Sequence, residues 1–363
     1  MRYAASFIIL IHGCIHLMGF AKAFGYGGVQ ALTKNIPKWL GSLWLLAAVL
    51  FITAAVLVLI KKETWWMVVA AAVVISQVLI FTAWNDAKFG TLINLLLLFT
   101  ALVGFGTRQF KSRYNKDVTS YLKYSGQFLP ALLTEADMQD LPDPVKRYLR
   151  YTHAVGQPKV KYFKLNFTGK IRKQGGSWMP FTSEQYNFTE PSTRLFFMNA
   201  TMKLLPVAGY HCYKNGKAFM DIRLLSLFKV QYQQGNEMDS AETVTFFNDM
   251  CCMAPATLID KRITWLETDG NTVKAQFTAN GITIAASLYF NDEGQLVNFI
   301  SDDRYAQQAD GTLKKTRWST PLKEYREING YRLASYAQTV YAYPGGDFCY
   351  GIFELDHIAC NVP

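Results

Sequence analysis

The chain has 363 residues, of which 50% are hydrophobic and 18% are charged, and its formal net charge is +10. The charges are unevenly spread, because residues 1–107 hold only seven Lys or Arg and two Asp or Glu. This division excludes a simple soluble enzyme, a disordered chain, a coiled coil and a small disulfide-rich protein. The net charge is +5 on each side of residue 107, so no separate nucleic-acid-binding surface is indicated.

Four apolar stretches fill the first part of the chain: Tyr3–Ala21, Leu40–Ile60, Trp65–Asn85 and Phe89–Thr107. Each approaches the ~20 residues that an α-helix needs to cross ~30 Å of hydrocarbon. Tryptophans lie near the ends of these stretches, where an indole ring favours the membrane interface. The first stretch has no small-residue cleavage site followed by soluble sequence, so we expect it to be retained. The sequence therefore predicts a four-helix transmembrane domain over residues 1–107.

The distribution of Lys and Arg predicts the orientation in the membrane. With the N-terminus inside, seven basic residues lie on the inner side and four on the outer side. Because basic residues are enriched on the cytoplasmic side, we expect both termini in the cytoplasm. The expected location is therefore the inner or plasma membrane, with the large C-terminal part in the cytoplasm.

His12 and His16 lie one helical turn apart in the first stretch, on the same face of the predicted helix. Titratable residues in a membrane are costly and often functional, so a metal, quinone or proton-handling site is one interpretation. The other is that both rings form hydrogen bonds inside the bundle, where Gly13 and Gly19 allow close helix packing. The segment GFAKAFGYGG (19–28) resembles the end of the first helix in DoxX-type four-helix membrane proteins.

Residues 108–158 are predicted to be a basic linker with two short helices. The run Arg108–Lys123 is rich in Lys and Arg, which is typical of a segment that contacts anionic lipid next to a membrane span. Thr134 and Asp143 are residue types that commonly begin helices, and Gly156 lies near the end of the second helix.

From Lys159 onward, apolar residues alternate with polar ones, and turns such as Asn215-Gly216 separate the runs. One stretch, Ser240–Leu258, breaks this alternation and is predicted to be a helix with Ser240 as its N-cap. The sequence thus predicts an α+β domain over residues 159–363, with about ten antiparallel strands that form a curved sheet, a half-barrel, around one helix.

The region Leu141–Val362 resembles an uncharacterised family of bacterial proteins known only as a domain of unknown function. The resemblance is carried by LPDPVKRYLRY, PATL, TWLETDGNTVKAQF, ISDDRY, RWSTPLKEY and NGYRLASYAQTVYAYPGGDFCYGIFELDHI. The order of strands and helix also resembles the half-barrel lipoprotein carriers, whose curved sheet and inner helix enclose acyl chains. That resemblance implies binding of an apolar ligand. Such carriers work in the periplasm and lack four membrane spans, whereas the basic residues here indicate the cytoplasm.

The polar residues of the β-rich part do not form a recognisable catalytic motif. Asp302 and Asp303 are adjacent, and adjacent strand residues face opposite sides of a sheet, so turn-capping or ion-pair roles are favoured over acid–base catalysis. Cys251 and Cys252 are expected to be buried structural thiols. The sequence contains no serine nucleophile elbow, phosphate-binding loop or dinucleotide-binding glycine motif. We therefore predict no catalytic residue and no cofactor, and an enzymatic function is not favoured.

Aromatic residues recur at alternate positions in the predicted strands, which fits either a solid core or an apolar cavity between sheet and helix. For the cavity, Arg304 is the candidate that would bind a ligand head group at its mouth. The aromatic candidates for contact with the ligand are Trp265, Trp318, Phe246, Tyr289 and Tyr325.

The sequence thus predicts a membrane-anchored binding or carrier protein for a lipid or another apolar molecule. Membrane lipid is the expected partner, nucleic acid is not, and the oligomeric state is not indicated. Two alternatives stay open: a membrane redox or proton-handling enzyme that uses His12 and His16, and a scaffold or interaction protein.

Overall fold

A computed structural model describes residues 2–125, 130–308 and 311–362. The chain divides into two compact units, Met1–Lys111 and Ser112–Pro363. The boundary falls within one long helix, because the fourth apolar stretch does not stop at Thr107 and its helix continues through the basic run to Ser125. Residues 108–125 contain no Gly or Pro, so nothing in this part of the sequence interrupts a helix.

Five helices account for the first unit and its extension. Four of them, α1, α2, α3 and α5, are long and apolar enough to cross a membrane. The third predicted stretch is shorter than expected, because α3 ends at Thr82 and a separate short helix, α4, follows. The bounds are α1 (Arg2–Phe24), α2 (Lys38–Leu59), α3 (Trp65–Thr82), α4 (Trp84–Ala87) and α5 (Gly90–Ser125).

The second unit is built on a large antiparallel sheet. Two short helical segments precede it, a 3-10 helix (Glu135–Met138) and α6 (Asp143–Tyr151). Thirteen strands form one open sheet in the order β6-β5-β4-β3-β2-β1-β15-β14-β13-β10-β9-β8-β7, and β11 and β12 form a separate hairpin. The strands are β1 (Tyr162–Ile171), β2 (Met179–Phe188), β3 (Thr193–Met202), β4 (Leu205–Lys214), β5 (Lys217–Leu224), β6 (Phe228–Gln234), β7 (Ile263–Asp269), β8 (Thr272–Ala279), β9 (Ile282–Phe290), β10 (Leu296–Ser301), β11 (Tyr305–Gln307), β12 (Leu313–Lys315), β13 (Trp318–Ile328), β14 (Tyr331–Tyr343) and β15 (Gly346–Cys360).

The expectation of about ten strands was too low, because several long alternating runs each contain two strands joined by a tight turn. The hairpin at Asn215-Gly216 is confirmed: both residues have positive φ, 52° and 73°, as a type I′ turn requires.

Helix α7 (Asn236–Met253) lies against the curved sheet, and strands near both edges of the sheet, among them β6 and β9, contact it. The helix begins earlier than predicted, with Gly235 as its N-cap, so Ser240 is not the cap. It also ends earlier, and a 3-10 helix, Pro255–Ile259, follows it. Nearly all of α7 is buried, so this helix has no solvent-exposed polar face.

Candidate ligand-binding cavity

The two faces of helix α7 have different surroundings. On one face, Phe247 stacks on Phe277 of β8 with ring centroids 5.0 Å apart, and Phe246, at the flank of this face, lies 6.0 Å from the same ring. This side of the interior is a solid aromatic core. The residues of the other face recur with helical spacing and line a cavity: Met238, Ala241, Glu242, Thr245 and Asp249. Helix α7 thus separates a packed side of the interior from an open side.

The cavity has a volume of about 980 Å³ and lies between α7 and the strands β1–β6 and β13–β15. Ligand sites in proteins usually occupy ~300–1,000 Å³, so this volume is large enough for a sizeable organic molecule. Exposed residues of the β1–β2 turn and of the β11–β12 hairpin, such as Lys173 and Gln307, also line the cavity and mark its opening to solvent. Its apolar wall includes five methionines, whose flexible side chains adapt to different apolar shapes: Met179, Met198, Met220, Met238 and Met253.

A buried ionic cluster centred on Arg194 of β3 lies in the wall of the cavity. The Arg194 side chain is only 8% exposed. Its Nη1 donates to Oε2 of Glu242 at 3.1 Å, and its Nε donates to Oδ2 of Asp249 at 2.7 Å. Gln185 and Asn187 of the adjacent strand β2 donate to the same Asp249 oxygen, at 2.7 and 3.1 Å. These contacts satisfy the buried charges, which would otherwise be costly.

The pKa values of Glu242 and His211, both in the cavity wall, are shifted from their usual values. Burial raises the pKa of Glu242, but the charges of Arg194 and Arg304 outweigh this effect and hold that pKa below its usual value. Burial lowers the pKa of His211 to about 4, so this imidazole is neutral at pH 7. Nε2 of His211 is buried and has no hydrogen-bond partner among the described residues.

Arg304 follows β10 and lines the cavity. Its Nε donates to the hydroxyl of Tyr341 at 3.1 Å, and its Nη1 donates to the carbonyl of Ala241 at 2.9 Å and to Oγ1 of Thr245. Its guanidinium lies over the ring of Trp318. All four partners are neutral, and Arg304 forms no ion pair within residues 2–125, 130–308 and 311–362.

Of the residues that the sequence singled out for ligand contact, the structure brings Arg304 and Trp318 together at the cavity. The other four do not line it. Phe246 is not part of the cavity wall and packs near Phe277 and Tyr213, with ring centroids 6.0 and 6.1 Å away. Trp265, Tyr289 and Tyr325 lie on β7, β9 and β13, and none of them is part of the cavity wall. The alternation of aromatic residues identifies strand faces but not the side of α7 that each face meets.

The polar part of the cavity wall was missed by sequence reasoning. The missed polar residues are far apart in the chain and include Gln185, Arg194, His211, Glu242 and Asp249. One signal was available, because Glu242, Thr245 and Asp249 recur at intervals of three and four residues, which puts them on one face of the predicted helix.

The remaining polar candidates have structural roles. Asp302 accepts hydrogen bonds from Arg317 at 2.8 and 3.1 Å, and Asp303 pairs with Lys315 at 2.7 Å, so the ion-pair interpretation of both carboxylates is confirmed. Cys251 and Cys252 are fully buried, and burial raises the pKa of both thiols well above the usual value.

His12 and His16 belong to a hydrogen-bonded polar network inside the first unit. Nε2 of His12 lies 2.9 Å from Oδ1 of Asn94, Nε2 of His16 lies 2.8 Å from Oγ of Ser76, and Nδ1 of His16 lies 2.8 Å from the carbonyl of His12. Asn94 also donates to Gln77 at 3.0 Å. In the part of the chain that the structure describes, no group of three or more His, Cys, Asp or Glu side chains is arranged to hold a metal ion. The network therefore favours the packing interpretation of the two histidines.

Comparison with known proteins gives one family match and several distant structural matches. The model of a family of unknown function, DUF6544, matches residues 131–353. An outer membrane lipoprotein-sorting protein domain from Vibrio parahaemolyticus matches with 9% identity and a TM-score of 0.32, over 55% of this chain and 84% of that chain. A LolA superfamily protein from Nitrosomonas europaea matches with 8% identity and a TM-score of 0.29, over 61% and 93%. A DUF1329 family protein from Desulfovibrio piger matches with 9% identity and a TM-score of 0.34, over 64% and 95%. No curated protein matches the chain.

Proposed function

This chain belongs to DUF6544, a family of unknown function, and we propose that it is a membrane-anchored protein that binds or carries a lipid or a similar amphiphile. The curved sheet acts as a half-barrel around α7, and the ligand occupies the cavity on the open side of that helix. The four apolar helices hold the chain in the inner or plasma membrane. From the excess of Lys and Arg on the inner side, the β-rich unit faces the cytoplasm.

The observation that carries this proposal is the combination of two surfaces in one cavity of about 980 Å³. The methionine-rich wall suits an acyl chain, whose burial contributes ~0.8 kcal/mol per CH₂. The polar wall offers hydrogen-bonding groups at fixed positions, which is how ligand sites orient a head group. Arg304 is the group that we expect to contact an anionic part of that head group, because its present partners are all neutral.

The test is to identify what the full chain binds. The protein is purified in a mild detergent, and bound lipids are measured by native mass spectrometry and by extraction. Ala337 lines the cavity and is 7% exposed, so Ala337→Trp fills the cavity. Ala285 lies on β9 with its side chain exposed, so Ala285→Trp adds the same bulk outside the cavity. We expect co-purified lipid in the parent chain and in Ala285→Trp, and its loss in Ala337→Trp. Equal lipid content in all three proteins would contradict the proposal.

The orientation is tested separately. A protease added to intact cells should leave the C-terminal unit uncleaved, and the same protease should degrade it once the membrane is opened. Cleavage in intact spheroplasts would place this unit outside the cytoplasm and would leave the binding proposal untouched.

A further inference from the structure

We infer that the ligand of the cavity carries a head group with separate positive and negative charges, an inference that rests on the proposed function. Apart from Arg172, Lys173 and Glu237, the charged residues of the cavity wall are two arginines and two carboxylates, which balance overall. Arg194 pairs with both Glu242 and Asp249, so this cluster has a net charge of minus one. Arg304 adds plus one and has only neutral contacts, as described above.

Each side of this charge distribution keeps unused hydrogen-bonding capacity. Among the described residues, Oε1 of Glu242 and Oδ1 of Asp249 accept no hydrogen bond, and Nη2 of Arg304 donates none. Carboxylate oxygens are acceptors for an ammonium group, whereas a guanidinium nitrogen donates to a phosphate or carboxylate. The cavity wall can therefore form hydrogen bonds with a positively charged and with a negatively charged ligand group.

The charge balance discriminates between head groups. A singly anionic amphiphile would pair with Arg304 and neutralise the charge that offsets the Arg194 cluster, which leaves a net negative charge buried in the cavity. A cationic amphiphile would leave Arg304 uncompensated in the same way. A zwitterion compensates both, so the structure assigns the ligand to acyl amphiphiles with an ammonium–phosphate or ammonium–carboxylate head group.

The experiment compares three single-chain probes with the same acyl group on the full chain in detergent: lysophosphatidylethanolamine, lysophosphatidylglycerol and monoacylglycerol. Native mass spectrometry gives the apparent Kd of each. We expect the zwitterionic lysophosphatidylethanolamine to bind at least about tenfold more tightly than the other two, since each of the other probes lacks a charge-assisted contact.

Two substitutions test the assignment of the charges. Glu242→Gln should weaken binding of the zwitterion and strengthen that of the anionic probe, whereas Arg304→Gln should weaken both. Arg317→Gln is the control, because Arg317 pairs with Asp302 outside the cavity wall. A parent chain that binds all three probes equally, or prefers the anion, overturns this inference and leaves the proposed function standing. A parent chain that binds none of them overturns both.

A different observation supports a second inference. We infer that an exposed apolar surface of the β-rich unit rests on a lipid bilayer. Six large apolar side chains of the β-rich unit are exposed around the β3–β4 turn and the edge strand β6. Leu204 is 76% exposed, and Phe228 and Val230 are each 55% exposed. We call this set the apolar edge: Met202, Leu204, Leu205, Phe228, Val230 and Tyr232.

The strand pairing brings these residues to one end of the sheet. Met202 pairs with Leu205 across the β3–β4 turn, and Leu224, which pairs with Val207 of β4, also pairs with Phe228 of β6. Gln231 and Gln233 of β6 line the cavity, and a β-bulge opposite Ile222 and Arg223 interrupts the alternation between them and Phe228. Soluble monomers rarely expose contiguous apolar patches of this kind, and edge strands usually carry features that discourage contacts.

Charge and chain connectivity favour a bilayer as the occupant. Exposed Lys203 and Lys229 are interleaved with the apolar edge, a pattern that suits the lipid interface. The chain enters this unit at Ser112, and the Arg113 guanidinium lies 4.5 Å from the Phe219 ring centroid of β5, the neighbour of β6. The residues that precede Ser112 in the sequence form the apolar part of α5, which is long enough to cross a membrane.

The experiment uses single cysteine substitutions in the full chain, reconstituted in vesicles of phosphatidylcholine with some phosphatidylglycerol. Leu204→Cys and Val230→Cys report on the apolar edge. Leu266→Cys is the matched control, because Leu266 is 51% exposed on β7, the opposite edge strand of the same sheet. Each variant is labelled with an environment-sensitive fluorophore, and the labelled parent chain gives the background from its own cysteines.

We expect the labels at positions 204 and 230 to be quenched by nitroxide-bearing lipid and protected from aqueous iodide, and the label at 266 to behave in the opposite way. Equal quenching by iodide at all three positions overturns the inference. Protection from both quenchers at 204 and 230 also overturns it, because protein would then cover the edge. A dependence of that protection on the protein-to-lipid ratio would identify a second copy of the chain.

Discussion

The guanidinium of Arg304 lies over the indole of Trp318, with its central carbon 4.6 Å from the ring centroid. Trp318 is almost fully buried, and its Nε1 donates to the hydroxyl of Tyr350 at 3.1 Å. The indole is therefore held by β15 on one side and supports the arginine on the other. The direction in which Arg304 faces the cavity depends on this pair.

Replacing Trp318 by Phe should destabilise the β-rich unit by about 1–3 kcal/mol, because the variant loses the Tyr350 hydrogen bond and part of the cation–π attraction. The measurement is urea unfolding of the full chain in detergent, followed by the β-sheet signal in circular dichroism. Trp265→Phe is the control, because Trp265 is half-buried on β7 and lies outside the cavity wall. A loss of stability as large in the control as in Trp318→Phe would refute the role given to the pair.

The Arg194 cluster should be the most sensitive polar element of the fold. Arg194→Met leaves Glu242 and Asp249 buried without their cation, and breaking a buried pair in this way typically costs 3–5 kcal/mol, so we expect a loss of about that size in the same unfolding assay. Arg317→Met breaks an ion pair with Asp302 whose side chains are 61% and 67% exposed, so its effect should be within about 1 kcal/mol. Adding Glu242→Gln and Asp249→Asn to Arg194→Met should restore part of the stability, and a further loss would be inconsistent with this account.

The stability of the β-rich unit should fall on acidification partly because of His211. Burial depresses the pKa of His211 from 6.5 to about 4 in the folded chain. As the pH falls below 6.5, the unfolded chain binds a proton that the folded chain does not bind until about pH 4. Because of His211, the free energy of unfolding is therefore highest above pH 6.5 and falls by roughly 3 kcal/mol by about pH 4.

The measurement is the difference in unfolding free energy between pH 7 and pH 4.5. His211→Phe should show a smaller difference than the parent chain, because phenylalanine does not titrate and can pack against Phe196, the present neighbour of His211. Identical pH dependence in the parent and His211→Phe would argue against this contribution.

The sequence predicted those features that depend on the residues of a single helix, strand or turn. The period of two identified the strands, the apolar lengths identified the four candidate spans, and Asn215-Gly216 identified a type I′ turn. The Arg194 cluster was not predictable in the same way. Its partners Gln185 and Asp249 are 64 residues apart, and only the curvature of the sheet around α7 brings them together. A charged residue within the apolar strand TRLFFMNATM was nevertheless a signal that Arg194 needs a buried partner.

The residues predicted to contact the ligand were likewise only partly predictable from the sequence. The sequence placed Phe246 and Trp318 in one cavity because both are aromatic residues of the β-rich part. Phe246 instead packs near Phe277 at the flank of the cavity-lining face of α7, and Phe247 faces away from residues 242, 245 and 249. Choosing between these sides requires the crossing of helix and sheet, which the pattern of a single element does not contain.

The polar network of the first unit should be structural. Asn94→Leu removes the partner of His12 and leaves the hydrogen-bonding groups of Ser76 and Gln77 without their shared amide. Since such bonds in membrane bundles are worth about 0.6–1.7 kcal/mol each, we expect a lower thermal stability in detergent, measured by the loss of the monodisperse peak. Cavity-bound lipid should be unchanged. Metal or quinone that co-purifies with the parent chain and is lost in Asn94→Leu would instead support the redox alternative.

The packing of α1 against α2 should depend on the absence of side chains at particular glycines. A Cβ at Gly19 would overlap the ring of Trp44, and a Cβ at Gly13 would lie 2.9 Å from Cβ of Phe51, closer than real Cβ atoms approach. Gly19→Ala should therefore push the two helices apart and expose part of the buried Trp44 ring, which is 3% exposed in the parent. We expect a loss of about 1–3 kcal/mol in the free energy of unfolding, typical of overpacking, seen as thermal unfolding at a lower temperature in detergent and a red-shifted tryptophan emission.

Gly28→Ala is the control, because a Cβ at Gly28 meets nothing within 4 Å. Unchanged stability and emission in Gly19→Ala would show that α1 and α2 do not need this close contact.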